Sequence, residues 1–270
     1  MVKPETVKVE TVKPETVKPE RLEGEGAVLQ ALGLQKSFGA LMATRDLSLR
    51  LHHGRIHALI GPNGAGKTTA LAQLSGELRP DRGRVLVDGQ DITGLDMARR
   101  AKLGIARSFQ ITAVLEGFTA LENVALAVQA RSSHHFRFLR DARRERALSE
   151  PARRLLERVG LGDKAETPAA SLSHGQKRQL EVAMALATEP RVLLLDEPMA
   201  GMGPSETAAM TELIRAVKAD HAVLLVEHDM AVVFALADEV SVLVYGSVIA
   251  SGTPQEVRAS PEARRAYLKG

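Results

Sequence analysis

The sequence contains no cysteine and no tryptophan, and aromatic residues fill only 3% of its 270 positions. Without cysteine there is no disulfide and no thiolate metal site, which is compatible with a reducing cytosol. No apolar run approaches the roughly 18 residues of a membrane span, and the longest, such as 231–237, are far shorter. The N-terminus lacks the apolar core of a signal peptide. A charge excess is lacking too: 36 Lys and Arg face 33 Asp and Glu, a net of +3, too balanced to point to a nucleic-acid partner. The expectation is a soluble, cytoplasmic chain that reaches a membrane only through a partner. With 44% hydrophobic residues it can bury a real core, as one large domain or a domain with a subdomain.

What is present begins with a repeat. Residues 2–20 read VKPET, VKVET, VKPET, VKPE, a unit of alternating charge with few apolar groups. Such a composition cannot offset the entropy lost on ordering, so residues 1–25 are expected to be a disordered tail. The folded part is expected over 26–270.

Gly61-Pro62-Asn63-Gly64-Ala65-Gly66-Lys67-Thr68-Thr69 fits G-x-x-x-x-G-K-[ST]. The apolar stretch 55–60 before it reads as a buried strand, and 69–74 after it as a helix. Glycines let the backbone fold round an anion, so that N–H groups and a helix N-terminus point at phosphate oxygens. Lys67 can then reach the β- and γ-phosphates of a nucleotide, and the Thr68 hydroxyl can complete a Mg²⁺ shell. An ordinary helix-capping turn would explain the glycines but not the Lys-Thr pair in this setting.

Around this stretch, two strands are expected between Ala27 and Leu51, where Leu47, Leu49 and Leu51 alternate with polar residues. Phe38 there is either a core residue or a platform for an adenine ring. Turns at 79–83 and 88–89 bracket a strand. Residues 95–172 are expected to be mostly helical, and the Arg-rich segment 130–158 to be a solvated helical face. His134-His135 has no further ligands nearby, so it makes a poor metal site. Two apolar runs, 191–195 and 222–226, read as strands of a parallel sheet buried on both faces. A hairpin is expected with its turn at Gly246-Ser247, then a closing helix from the capping box Thr253-Pro254-Gln255-Glu256. The run at 191–195 ends in Asp196-Glu197-Pro198: Asp196 can hold Mg²⁺ through water, and Glu197 can polarise an attacking water.

Leu172-Ser173-His174-Gly175-Gln176 resembles the signature of ATP-binding-cassette (ABC) transporters, usually LSGGQ. Ser173 and Gln176 also have capping-box form, so a helix is expected to start there with its N-terminus facing an anion. The resemblance implies a P-loop NTPase (RecA-like) α/β core with an antiparallel β element and a helical subdomain inserted at about 100–178. It also implies a dimer in which each ATP is sandwiched between Lys67 of one chain and Ser173, Gly175 and Gln176 of the other. In that family Gln110 resembles the Q-loop glutamine, which touches Mg²⁺ and water; His228 resembles the switch histidine at the γ-phosphate; and Phe38 takes the place of the adenine-stacking aromatic. Two positions depart from the pattern. His174 replaces a glycine, placing bulk or charge near the phosphate, and Gly203 stands where the D-loop usually ends in Asp.

The segments 104–110, 197–202, 227–230, 252–254 and 265–268 resemble, more narrowly, the ATPase subunits of branched-chain amino-acid importers. This implies ATP and Mg²⁺, a membrane permease, a second cassette (homo- or heterodimer), a periplasmic binding protein engaged indirectly, and a peripheral place on the cytoplasmic face of the inner membrane. Such importers also serve urea, amides and aromatic acids. A soluble assembly or remodelling ATPase and a lipid or lipopolysaccharide exporter ATPase stay open as alternatives.

Overall fold

Alternation of apolar and polar side chains builds the first sheet. The computed structural model describes residues 26–108, 114–131 and 146–267. The repeat tail, Gln110 and His134-His135 lie outside the described residues. In β2 (Leu41–His52), Leu47, Leu49 and Leu51 are buried, as their spacing requires. This strand pairs antiparallel with β1 (Ala27–Phe38), with Phe38 opposite Leu41. On its other side β1 pairs with β4 (Arg82–Val87), which pairs in turn with β5 (Gln90–Asp91). The four strands form an antiparallel sheet ordered β2-β1-β4-β5.

The second sheet has six strands, ordered β10-β9-β3-β8-β7-β6. Its centre is parallel: β3 (Ile56–Ile60) lies between β8 (Ala222–Val226) and β9 (Glu239–Val244), and β7 (Val192–Asp196) flanks β8. Every residue of β3, β7 and β8 is buried, and each large aliphatic among them contributes about 1.5–3 kcal/mol by leaving water. Only β10 (Ser247–Gly252) runs antiparallel to its neighbour. The hairpin turn falls one residue earlier than expected, at Tyr245-Gly246, with Val244 paired to Ser247. Both turn residues have positive φ, +47° and +81°, and this places Ser247 in the strand. β6 (Ile105–Arg107) is a strand inside the segment expected to be mostly helical. At three residues it is too short to carry a period, and pairing with β7 makes it a strand.

Helices complete the layers. α1 (Lys67–Ser75) follows β3, and α2 (Met97–Lys102) precedes β6. α3 (Ala120–Arg131), α4 (Arg146–Arg158) and α5 (His174–Ala187) pack together through Leu121, Val124, Leu148, Leu156 and Leu180. α6 (Pro204–Val217), α7 (Met230–Leu236), α8 (Pro254–Ala259) and α9 (Pro261–Ala266) follow. No described helix is long and apolar enough to cross a membrane.

A fully buried arginine fixes the far end of α1. Arg100 Nη1 donates to the carbonyls of Gln73 (2.7 Å) and Leu74 (2.8 Å), while Nε and Nη2 reach those of Leu95 and Thr93. Carbonyls at a helix C-terminus have no partner within the helix, so a planar cation with five donors suits them. Gly76, at φ +83°, leaves room for that guanidinium: a Cβ there would lie 2.8 Å from Nε.

Candidate functional site

Register brings the motifs to one edge. Leu59 of β3 and Asp196 of β7 both pair with Val226 of β8, so three parallel strands end together. Their continuations are the glycine-rich loop, Glu197 and Glu227-His228. Ligands of open α/β sheets bind at such carboxyl edges.

The loop 61–66 is shaped by close backbone packing. A Cβ on Gly61 would collide with the Leu243 carbonyl, and one on Gly66 with the Ala43 carbonyl. Both glycines have φ of one hand, +153° and +106°, which only glycine adopts freely. Gly64, at φ +77°, faces open space. α1 begins at Lys67 with no side-chain cap, so its first amides point into the loop. The Lys67 ammonium donates to the carbonyls of Gly61 (2.7 Å) and Pro62 (3.1 Å). Burial lowers its pKa, and the charges of Glu197 and Asp196 pull it back up. Asn63, Gly64 and Thr68 are exposed, Ala65 is buried, and Pro62 and Thr69 are half-buried. A glycine cradle closed by an uncapped helix and an ammonium fits a polyphosphate.

Asp196 is only 2% exposed. Burial raises its pKa, against the Arg107 guanidinium, whose Nη2 donates to Oδ2 at 3.0 Å. Arg107 also pairs with Glu77 at 2.5 Å. Glu197 leaves the sheet abruptly: its amide donates to Val226 O, and its φ of +47° is left-handed for a non-glycine residue. That conformation costs on the order of 1–3 kcal/mol and holds the carboxylate at the edge of the sheet. His228 is exposed, with Nδ1 3.7 Å from Glu227 Oε2. The next residue, Asp229, caps α7 by accepting from the amides of Ala231 and Val232.

Three contributors were not visible as site residues in the sequence. Arg107 sits in the three-residue strand β6, where a lone cation after Ile105-Ala106 was the available signal. Glu227 is 1% exposed and accepts from the amides of Met199 (3.0 Å) and His228 (3.1 Å); burial pushes its pKa up. It ties the loop after β7 to the end of β8, and the signal was an acid directly after an all-apolar run. Tyr267 arrives from the far end of the chain. Burial and then the charges of Glu197 and Glu227 push its phenol up, a proximity that no local pattern encodes.

The signature segment opens α5. Ser173 accepts from the Gln176 amide at 3.2 Å while Gln176 Oε1 accepts from the Ser173 amide at 3.0 Å, the expected capping box. Gly175 is buried, and Gln176 is half-buried. His174 does not hang free at the helix start: its Nε2 lies 3.0 Å from the Ala200 carbonyl. Phe38 is no core residue. It is 51% exposed at the end of β1, on the hairpin whose Ala43 carbonyl packs on Gly66, and Lys36 Nζ lies 5.9 Å from its ring centroid.

The ABC transporter family model matches residues 44–200, and that of the branched-chain amino acid ATP-binding cassette transporter matches residues 247–268. Among similar proteins are the high-affinity branched-chain amino acid transport ATP-binding proteins BraF of Pseudomonas aeruginosa and LivG of Escherichia coli K12. Each is 38% identical over 248 residues, covering 89% of this chain and 97% of the relative. A probable LivG of Archaeoglobus fulgidus is 35% identical over 244 residues, covering 89% of this chain and 95% of its own length. Among solved structures, an ATP-binding cassette of an ABC transporter in its ADP conformation superposes with a TM-score of 0.81 at 29% identity. It covers 90% of this chain and 99% of that one.

Proposed function

Because this chain belongs to the ABC transporter ATP-binding family, in its branched-chain amino-acid branch, we propose that it powers an importer of branched-chain amino acids or related small polar solutes. It binds ATP and hydrolyses it, as an ATPase of that family. The observation that carries the hydrolytic part is the shared strand edge, where Lys67, Asp196, Glu197 and His228 follow three strands paired in register.

In this proposal Lys67 and the backbone amides of 63–69 hold the phosphates, and Phe38 stacks on the adenine. Glu197 polarises the attacking water, which Gln110 also touches, and His228 contacts the γ-phosphate. Ser173, Gly175 and Gln176 contact the nucleotide of a second cassette. The hard oxygen donors of Thr68 and Asp196, with Gln110, suit Mg²⁺. Bound there, the ion would neutralise charge on the β- and γ-phosphates. The helical segment at about 100–178 is the subdomain that carries the signature, inserted in a cassette spanning 26–270. The chain works at the cytoplasmic face of the membrane, on a permease fed by a periplasmic binding protein. The similar proteins named above are transport ATP-binding proteins, which leaves the assembly-ATPase and exporter alternatives without an observation in their favour.

Affinity capture of the tagged chain from mild-detergent extracts, with mass spectrometry, tests the assignment. Co-purification of a polytopic permease and a cassette subunit is expected. Recovery of soluble partners alone would overturn the transport role.

A further inference from the structure

We propose that His174 and Glu206 are positioning residues that clasp the signature segment onto the loop after Glu197 in the same chain. The segment facing a partner's nucleotide and the segment carrying the chain's own hydrolytic carboxylate then move as one body.

Two clasps, on different residues, carry the inference. In the first, His174 Nε2 lies 3.0 Å from the Ala200 carbonyl oxygen. A carbonyl only accepts, so Nε2 carries the proton and the ring is held in one tautomer and one orientation. Gly201 passes beneath the ring at φ +76°, and a Cβ there would lie 3.3 Å from Nε2. A side chain at 201 would crowd the imidazole as well as strain the backbone.

In the second, the Glu206 carboxylate spans the starts of two helices. Its Oε1 accepts from Ser173 Oγ at 3.1 Å, at the start of α5, and its Oε2 accepts from the Gly203 amide at 3.2 Å, at the start of α6. An anion suits both helix N-termini. It lies over Gly175, where a Cβ would be 2.5 Å from the carboxylate. Signature residues 173, 174 and 175 therefore all touch the stretch 200–206.

That stretch is folded onto the hydrolytic residues. The Ala200 amide donates to Glu197 O (3.1 Å), the Met202 amide to Met199 O (3.1 Å), and the Met199 amide to the Glu227 carboxylate (3.0 Å). Ala200 is thus bonded through its amide to Glu197 and through its carbonyl to His174, while Glu227 holds the neighbouring Met199. The two departures from the family pattern belong together. Gly203 supplies no side chain for a contact across a dimer, while His174, in place of a glycine, fastens the same loop within the chain. Coupling between two ATP sites through this body rests on the sandwich dimer proposed above; the clasp itself does not.

Amide hydrogen exchange on the full chain without nucleotide tests the clasp in a single copy. H174G is expected to speed exchange across 199–203 about fivefold, the worth of one hydrogen bond, while leaving α1 unchanged. H174Q, whose side-chain amide can donate to the same carbonyl, should restore slow exchange, and E206Q should speed it at 173–176. Unchanged exchange at 199–203 in H174G would overturn the clasp. Steady-state ATPase assays test the coupling: H174G should lower kcat and bring the Hill coefficient toward one, leaving KM near that of the parent, with H174Q rescuing both. Faster exchange with kcat and Hill coefficient intact would reduce the clasp to a structural contact and overturn the coupling. A parent E197Q chain that stays monomeric with ATP would instead sink the sandwich, with the exchange result still standing.

Discussion

Glu197, the proposed base, has a left-handed backbone, so its position is held against a local cost. Replacing it by Gln keeps the shape but removes the proposed base. E197Q should retain ATP binding and lose about 10²–10⁴ in turnover, checked by single-turnover hydrolysis beside equilibrium nucleotide binding. Asp196 offers a test by pH. Burial raises its carboxyl above the ordinary 3.8, so the folded chain binds that proton more tightly than the unfolded chain. The stability this contributes is complete below pH 3.8 and is lost as pH rises through the raised value. D196N, which does not titrate, should therefore gain stability relative to the parent across that window and hold a constant difference above it. Urea unfolding at a series of pH values reads the slope, and a slope of opposite sign would mean that the Arg107 pair outweighs burial. Residues tied to a fixed spacing, such as Lys67, Asp196 and Ser173, were legible in the sequence because neighbouring residues set their geometry. Arg107, Glu227 and Tyr267 were not, since the sheet and the chain's far end deliver them.

Among the elements, α1 carries the loop at one end and is anchored at the other by Arg100. R100K keeps the charge but cannot reach four carbonyls, so buried acceptors lose their donors. A loss of about 2–4 kcal/mol follows, or roughly 5–10 °C in Tm by calorimetry. R191A, which removes an exposed pair with Asp88, should shift Tm by about 1–2 °C at most. Strand and helix identity was readable from alternation in β2, from an all-apolar run in β8 and from a capping box in α8. It failed for β6, which exists only by pairing with β7, and slipped by one residue at Tyr245, where a non-glycine residue adopts positive φ.

At the scale of the whole molecule, the proposed sandwich dimer makes a demand on two copies at once. S173R leaves the Lys67 loop untouched and puts a long cation where the partner's nucleotide would dock. In an E197Q background it should bind ATP as the parent does and fail to double its mass on adding ATP, as read by light scattering. An unchanged ATP-dependent mass would count against the sandwich. The layered α/β architecture was legible because all-apolar runs mark strands covered on both faces, while the order of those strands was not, because no local pattern encodes which distant runs pair. That order also bears on how the chain is made. β3 sits at the centre of its sheet, yet its neighbours come from the last quarter of the sequence; His57 and Ser241, bonded across it, are 184 positions apart. On a ribosome adding about 5–20 residues per second, the strand that bears the phosphate loop waits on the order of ten seconds for a partner, with its aliphatic side chains uncovered. The local β1-β2-β4 pairings can close during that wait, so synthesis yields an antiparallel platform first and nucleotide competence last.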